Sequence, residues 1–188
     1  MTPVPKMDER LRHATEGALK RPPESLYDLK KVKALNDFCY YGDPYYQKDH
    51  GEPEPGDFSA IGLMENLHTL EFGTPRSQSI PIVLAADFSF LLPCRKLKKL
   101  ALRWTNFSDC TLLLQLPALK CVLLPSQKQL TGTEALKALV DRGVTVEIPA
   151  EYLPPMVRQP AQGSEPVRAV VTEIQKRTAI DGWELTVQ

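Results

Sequence analysis

An excess of either charge sign is what this chain most lacks. Lys and Arg total 23, Asp and Glu total 23, and the formal net charge is zero. A dedicated nucleic-acid binder draws its affinity from excess positive charge, so the balance disfavours that class while leaving room for a local basic patch. No apolar run approaches the roughly 18 residues of a membrane helix, and the opening residues Met1 to Arg10 lack the apolar stretch of a secretory signal. A cytoplasmic protein without a membrane partner is the expectation. The cysteines are Cys39, Cys94, Cys110 and Cys121, and no two form a Cys-x-x-Cys pair. Reduced thiols fit that spacing better than a disulfide framework or a zinc site.

Signatures of catalysis are missing as well. His13, His50 and His68 are the only histidines, and none has a spaced Ser, Cys or acid that would complete a triad. There is no Gly-rich phosphate loop and no Gly-x-Ser-x-Gly elbow. Asp43, Asp49, His50 and Glu52 cluster in a Gly/Pro-rich stretch without a recognised ligand pattern. The expectation is therefore no enzyme, no catalytic residue, no cofactor and no metal.

What the chain does have is a repeated apolar stagger. It reads Leu67-His68-Thr69-Leu70-Glu71-Phe72, Leu97-Lys98-Lys99-Leu100-Ala101-Leu102 and Leu119-Lys120-Cys121-Val122-Leu123-Leu124. A weaker copy starts at Leu35 and runs to Tyr40, and a degenerate one runs from Gly143 to Ile148. In a short strand alternate residues share a face, so Leu70 and Phe72, Leu100 and Leu102, Val122 and Leu124 are expected to stack as one core ladder. First positions of successive motifs lie 32, 30, 22 and 24 residues apart. Over residues 26–149 the chain resembles the leucine-rich repeat family, whose repeats run 20–29 residues. The resemblance implies an α/β fold: a short leucine-rich repeat solenoid with a parallel sheet on its concave face and a helical or irregular convex side. The family places Asn just after each strand, whereas here those positions hold Pro75, Thr105 and Gln127, with Asn106 one residue late. Irregular repeats follow from that departure.

Four segments are expected. Residues 1–24 form an N-terminal helical cap, with Leu11, Ala14, Ala18 and Leu19 on one side of a helix over 7–20 and Pro22-Pro23 ending it. Residues 25–149 form the repeat unit; within it, 133–140 reads as the clearest helix, closed by Gly143. The five prolines of 149–166 make 150–166 a connector. Residues 167–188 form a capping segment, read as helix then strand, with a hairpin through Asp181-Gly182 as the alternative.

If the register holds, the outward strand positions make a continuous face with rows Asp37, Cys39, Tyr41; Thr69, Glu71, Gly73; Lys99, Ala101, Arg103; Cys121, Leu123, Pro125; and Thr145, Glu147. Charge would pass from acidic through basic to apolar. A protein partner, identity unknown, would dock there, with Glu71, Lys99 and Arg103 as charged anchors and Tyr41 and Leu123 as apolar contacts. The competing reading is plain: Glu71 pairs with Lys99 or Arg103 on the neighbouring strand. The longer intervals place extra length after the first two motifs, on one rim, where Tyr45 and Tyr46 are hot-spot candidates. Two narrower readings stand beside this one. The first is a bacterial immunity protein neutralising a cognate toxin; the second is a nucleic-acid binder using the basic run Arg95, Lys96, Lys98, Lys99 and Arg103, which lacks the aromatic interleaving such a site needs.

Overall fold

The structure, a computed structural model, describes residues 2–36, 55–72, 84–103 and 105–149. Their architecture is mixed α/β around one parallel sheet. In chain order the regular elements are helices α1 (Glu9–Leu19) and α2 (Leu26–Leu29), strands β1 (Ala34–Leu35), β2 (Thr69–Glu71), β3 (Lys99–Ala101) and β4 (Cys121–Leu123), helix α3 (Glu134–Asp141) and strand β5 (Thr145–Glu147). The strands lie side by side in sequence order and every pairing is parallel. Parallel neighbours need a crossover; here short 3-10 turns at Ser59–Leu63, Ser89–Leu91 and Cys110–Gln115 supply it, and α3 does so before β5.

The ladder of apolar residues explains the register. Leu35, Leu70, Leu100, Val122 and Val146 are aligned across the sheet, and all are buried. A second column, Val32, Leu67, Leu97 and Leu119, is buried just ahead of the strands, and Phe72, Leu102 and Leu124 are buried just after them. Each strand contributes one inward residue flanked by two outward ones, which is what three extended residues do when only one face is covered.

The sequence motif places its first copy at Leu35, but Leu35 pairs with Leu70, the fourth motif position, and Val32 takes the first. The Lys33 carbonyl confirms it, accepting the N–H groups of His68 at 2.8 Å and Thr69 at 3.2 Å. Leu35 satisfies both phases on its own, so only the buried Val32 distinguishes them. The first outward row therefore begins at Ala34.

The three crossovers before β2, β3 and β4 share one device. Asp57, Asp87 and Asp109 accept the backbone N–H of Ser59, Ser89 and Thr111 at 2.9, 2.7 and 2.9 Å, starting a 3-10 turn that buries Ile61, Leu91 and Leu113. In sequence this is Asp-Phe-Ser, Asp-Phe-Ser, Asp-Cys-Thr, each ten residues before Leu67, Leu97 or Leu119. From the Asp cap to the strand the unit length is constant. The variable length falls between a strand and the next cap.

Beside the aliphatic columns, Phe58, Phe72, Phe88, Phe90 and Phe107 form a chain of ring contacts. The tightest edge-to-face pair is Phe88–Phe107, with centroids 5.1 Å apart and planes at 88°. At the β1 end α1 lies over the sheet, burying Leu11 with Val4, Met7, Ala14 and Leu19 packed around it. The helix starts as its sequence requires, Asp8 accepting the N–H of Arg10 at 2.9 Å. Helix α3 ends as expected, with Gly143 left-handed at φ 81° after Arg142. No helix among the described residues is long and apolar enough to cross a membrane.

Candidate interaction surface

Because the strands pair in register, their outward residues form two rows. One holds Ala34, Thr69, Lys99, Cys121 and Thr145; the other holds Glu71, Ala101, Leu123 and Glu147. These side chains are half-buried to exposed, while the residue between each pair is fully buried. The resulting pattern differs from the gradient expected from sequence. With Ala34 in the first row, the centre of the face is Ala101 and Leu123, bracketed by Glu71 and Lys99 on one side and Glu147 on the other.

Lys99 is already engaged. Its Nζ lies 2.7 Å from Glu71 Oε1, across β2 and β3. The Glu71 hydrogen bond pushes the Lys99 pKa up, against the smaller opposing effect of desolvation. Lys99 keeps half its side chain exposed, so the pair contributes at most ~1 kcal/mol and a partner can rearrange it at small cost. Arg103 follows β3 on the same side and is half-buried, and its Nε is shielded from solvent with no hydrogen-bond acceptor among the described residues. Leu123 is the large apolar side chain at the centre of the face. Tyr41, Tyr45 and Tyr46, like Asp37, Cys39, Gly73 and the Asp43–Glu52 cluster, lie outside the described residues.

The basic run of the sequence is dispersed by the fold. Arg95 donates to the Gln115 carbonyl at 3.4 Å, Lys96 to Asn66 Oδ1 at 2.6 Å, and Lys99 to Glu71. Lys98 has no side-chain partner among the described residues, and Arg103, the fifth member of the run, has none at its Nε. The run is therefore divided between the turn before Leu97 and the sheet face.

The thiols are held in their protonated form. Burial pushes Cys94 and Cys110 up to about 12, which makes both poor nucleophiles at neutral pH. Cys121, on the face, is raised by burial first and by Glu147, with Lys99 pulling the other way. Among the described residues no group of three or more His, Cys, Asp or Glu side chains is placed to hold a metal ion.

The turns after the strands lack the regular Asn, and the structure shows what replaces it. Asn106 accepts the Ala85 N–H at 2.9 Å and donates to the Ala85 carbonyl at 2.8 Å, satisfying both groups of a buried residue on the preceding chain turn. Gln129 Nε2 donates to the carbonyls of Thr105 and Phe107 at 2.8 and 2.7 Å. The Thr105 hydroxyl donates to Leu102 and accepts from the Phe107 N–H. These amides stand one or two positions later than the family pattern places them.

No family model matches the chain, and no curated protein matches it. Among solved structures, an internalin from Listeria monocytogenes overlays on it with a TM-score of 0.46 and 17% identity, over 78% of this chain and 44% of that one. The chain thus spans less than half the length of that protein.

Proposed function

We propose that this chain is a non-enzymatic protein-interaction module, a short irregular leucine-rich repeat solenoid that binds a protein partner on its outward strand rows. The observation that carries the reading is the in-register pairing of five parallel strands, which turns isolated outward residues into one surface fixed by backbone hydrogen bonds. A rigid face with an apolar centre and a charged margin has the anatomy of a binding site, since little order has to be gained on association. Leu123 is the apolar anchor in this proposal, Glu71, Lys99 and Arg103 are the charged margin, and Tyr41, Tyr45 and Tyr46 extend the contact along the rim. Residues 1–24 close one end in this proposal; the connector 150–166 and the capping segment 167–188 expected from sequence lie outside the described residues.

The non-enzymatic part draws on the ionisable groups themselves. Those described with shifted pKa values owe the shift to structural neighbours: Asp28 to Arg21, Lys99 to Glu71, Cys94 and Cys110 to burial. A toxin-neutralising role would be a narrower case of the same binding.

Affinity capture from the host lysate tests the reading, comparing the wild-type chain with Leu123→Asp and with Glu134→Lys on α3. The partner recovered by wild type should be lost at least tenfold with Leu123→Asp, a charge placed in a desolvated contact, and kept with Glu134→Lys. Equal recovery by Leu123→Asp would remove the sheet face from the proposal.

A further inference from the structure

Just ahead of the outward rows lies a file of residues that the strand motif does not constrain. Lys33, His68, Lys98 and Lys120 occupy the same position on four successive chain turns. Backbone bonds lock them to one another: His68 N–H donates to Lys33, Lys98 N–H to His68, and Lys120 N–H to Lys98, each at 2.8 Å. The three lysines are exposed and His68 is half-buried. On the fifth turn Val144 is buried in this position and the file ends.

None of the four makes a side-chain ion pair or hydrogen bond among the described residues. Their basic neighbours behave differently. Lys30 pairs with Glu65 at 2.8 Å, Lys31 with Asp28 at 3.1 Å, Lys96 reaches Asn66 and Lys99 reaches Glu71. In a chain of zero net charge, three unneutralised lysines in one file, Lys98 and Lys120 at the ~4.8 Å strand spacing and Lys33 two strands from Lys98, are unfavourable in isolation. An array of that kind is complementary to a file of anions.

We infer that the Lys33–His68–Lys98–Lys120 file recognises an acidic helix of the partner, lying across the strands with its carboxylates spaced one helical turn apart. Spacing selects the helix. Four positions at strand spacing span about 14 Å. Acidic residues at i, i+4, i+7 and i+11 of a helix span about 16 Å, whereas four alternate residues of an extended strand span about 20 Å. Flexible lysine stems absorb the first mismatch and not the second. A protein anion is favoured over a nucleic acid because the file carries no Phe, Tyr or Trp on which a base can stack and the chain has no excess positive charge to support it. This inference rests on partner binding at the sheet face and names the chemistry of that partner.

The full chain is titrated by fluorescence anisotropy, at about 50 mM salt where such contacts are least screened. The probes are a labelled Ala-rich helical peptide with Glu at i, i+4, i+7 and i+11, a scrambled peptide of the same composition, and a single-stranded RNA of about 20 nucleotides. The helical peptide should bind more tightly than the scrambled one. Lys98→Ala with Lys120→Ala should weaken it about tenfold, while Lys137→Ala, an exposed lysine on α3 outside the file, should leave it unchanged. Both file lysines are exposed, so an unaltered unfolding midpoint is expected to accompany the loss. Equal binding of the scrambled peptide, no effect of the double substitution, or tighter binding of the RNA would overturn the inference. The captured partner separates the two readings. Loss with Leu123→Asp but full retention with the double lysine variant sinks the helix proposal alone, and retention with both sinks the sheet-face reading too.

Discussion

A Cβ built at Gly56 would meet the Asp8 carboxylate at 2.6 Å and the Phe58 ring at 2.7 Å, and would overlap the Arg10 guanidinium. Those three groups dock the N-terminal segment: Arg10 Nη2 pairs with Asp8 at 2.8 Å and its guanidinium sits 5.2 Å from the Phe58 ring centroid. Gly56→Ala should therefore destabilise the fold by about 1–3 kcal/mol. Gly17→Ala, in α1 with open space around it, should stabilise by about 0.5–1 kcal/mol. Urea midpoints of the two variants check the opposite signs. Asp28 gives a second test at this scale. Its side chain is 5% exposed and accepts from Arg21, Lys31 at 3.1 Å and the Glu24 N–H at 3.1 Å. The Arg21 hydrogen bond, foremost among these, holds the carboxyl well below its ordinary 3.8. A depressed folded pKa contributes stability above the unfolded value and loses it as pH falls through the folded one. Stability should accordingly decline on acidification from about pH 4, and Asp28→Asn should flatten that decline in thermal melts across pH. Gly56 does not announce itself in sequence, because it depends on Asp8 and Arg10 of a separate segment, whereas the partners of Asp28 all lie within seven residues of it.

At the scale of elements, the strands were legible because the same apolar stagger recurs, with alternate residues placed for one covered face. Leu70, Leu100 and Val122 fell where expected, as did α1 and α3. The first strand was misplaced because Leu35 fits two phases of Leu-x-x-Leu, and choosing between them requires knowing that Val32 is buried. The Asp-x-Ser/Thr caps are a polar signal in the sequence that apolar spacing alone does not carry. The polar links after the strands were not readable. Asn106 and Gln129 do their bonding from positions set by the length of each turn, which the motif leaves free. Asn106→Ala strips the partner from both backbone groups of buried Ala85. A loss of about 1–3 kcal/mol is expected, read from the urea midpoint. Lys99→Ala, which removes a half-exposed ion pair, should cost less than about 1 kcal/mol.

For the whole molecule, the sequence pointed to a parallel sheet, an outward face and a Glu71 pair with Lys99 or Arg103 across it, of which the structure forms the Lys99 one, but not to the charge pattern around that pair. Glu71 and Glu147 flank the face, Lys99 is held by Glu71, and the unneutralised lysines stand one position ahead of the strands. That arrangement could not be seen from the run of basic residues between 95 and 103, because neighbours in sequence point to different parts of the fold. The central claim is that a partner covers the sheet face. Hydrogen–deuterium exchange of the full chain, free and with the captured partner, tests it most directly. Slowed exchange concentrated in peptides covering 67–72, 97–103 and 119–125 is the predicted result; protection confined to Glu9–Leu19 or to Glu134–Asp141, with the strand peptides unchanged, would contradict it.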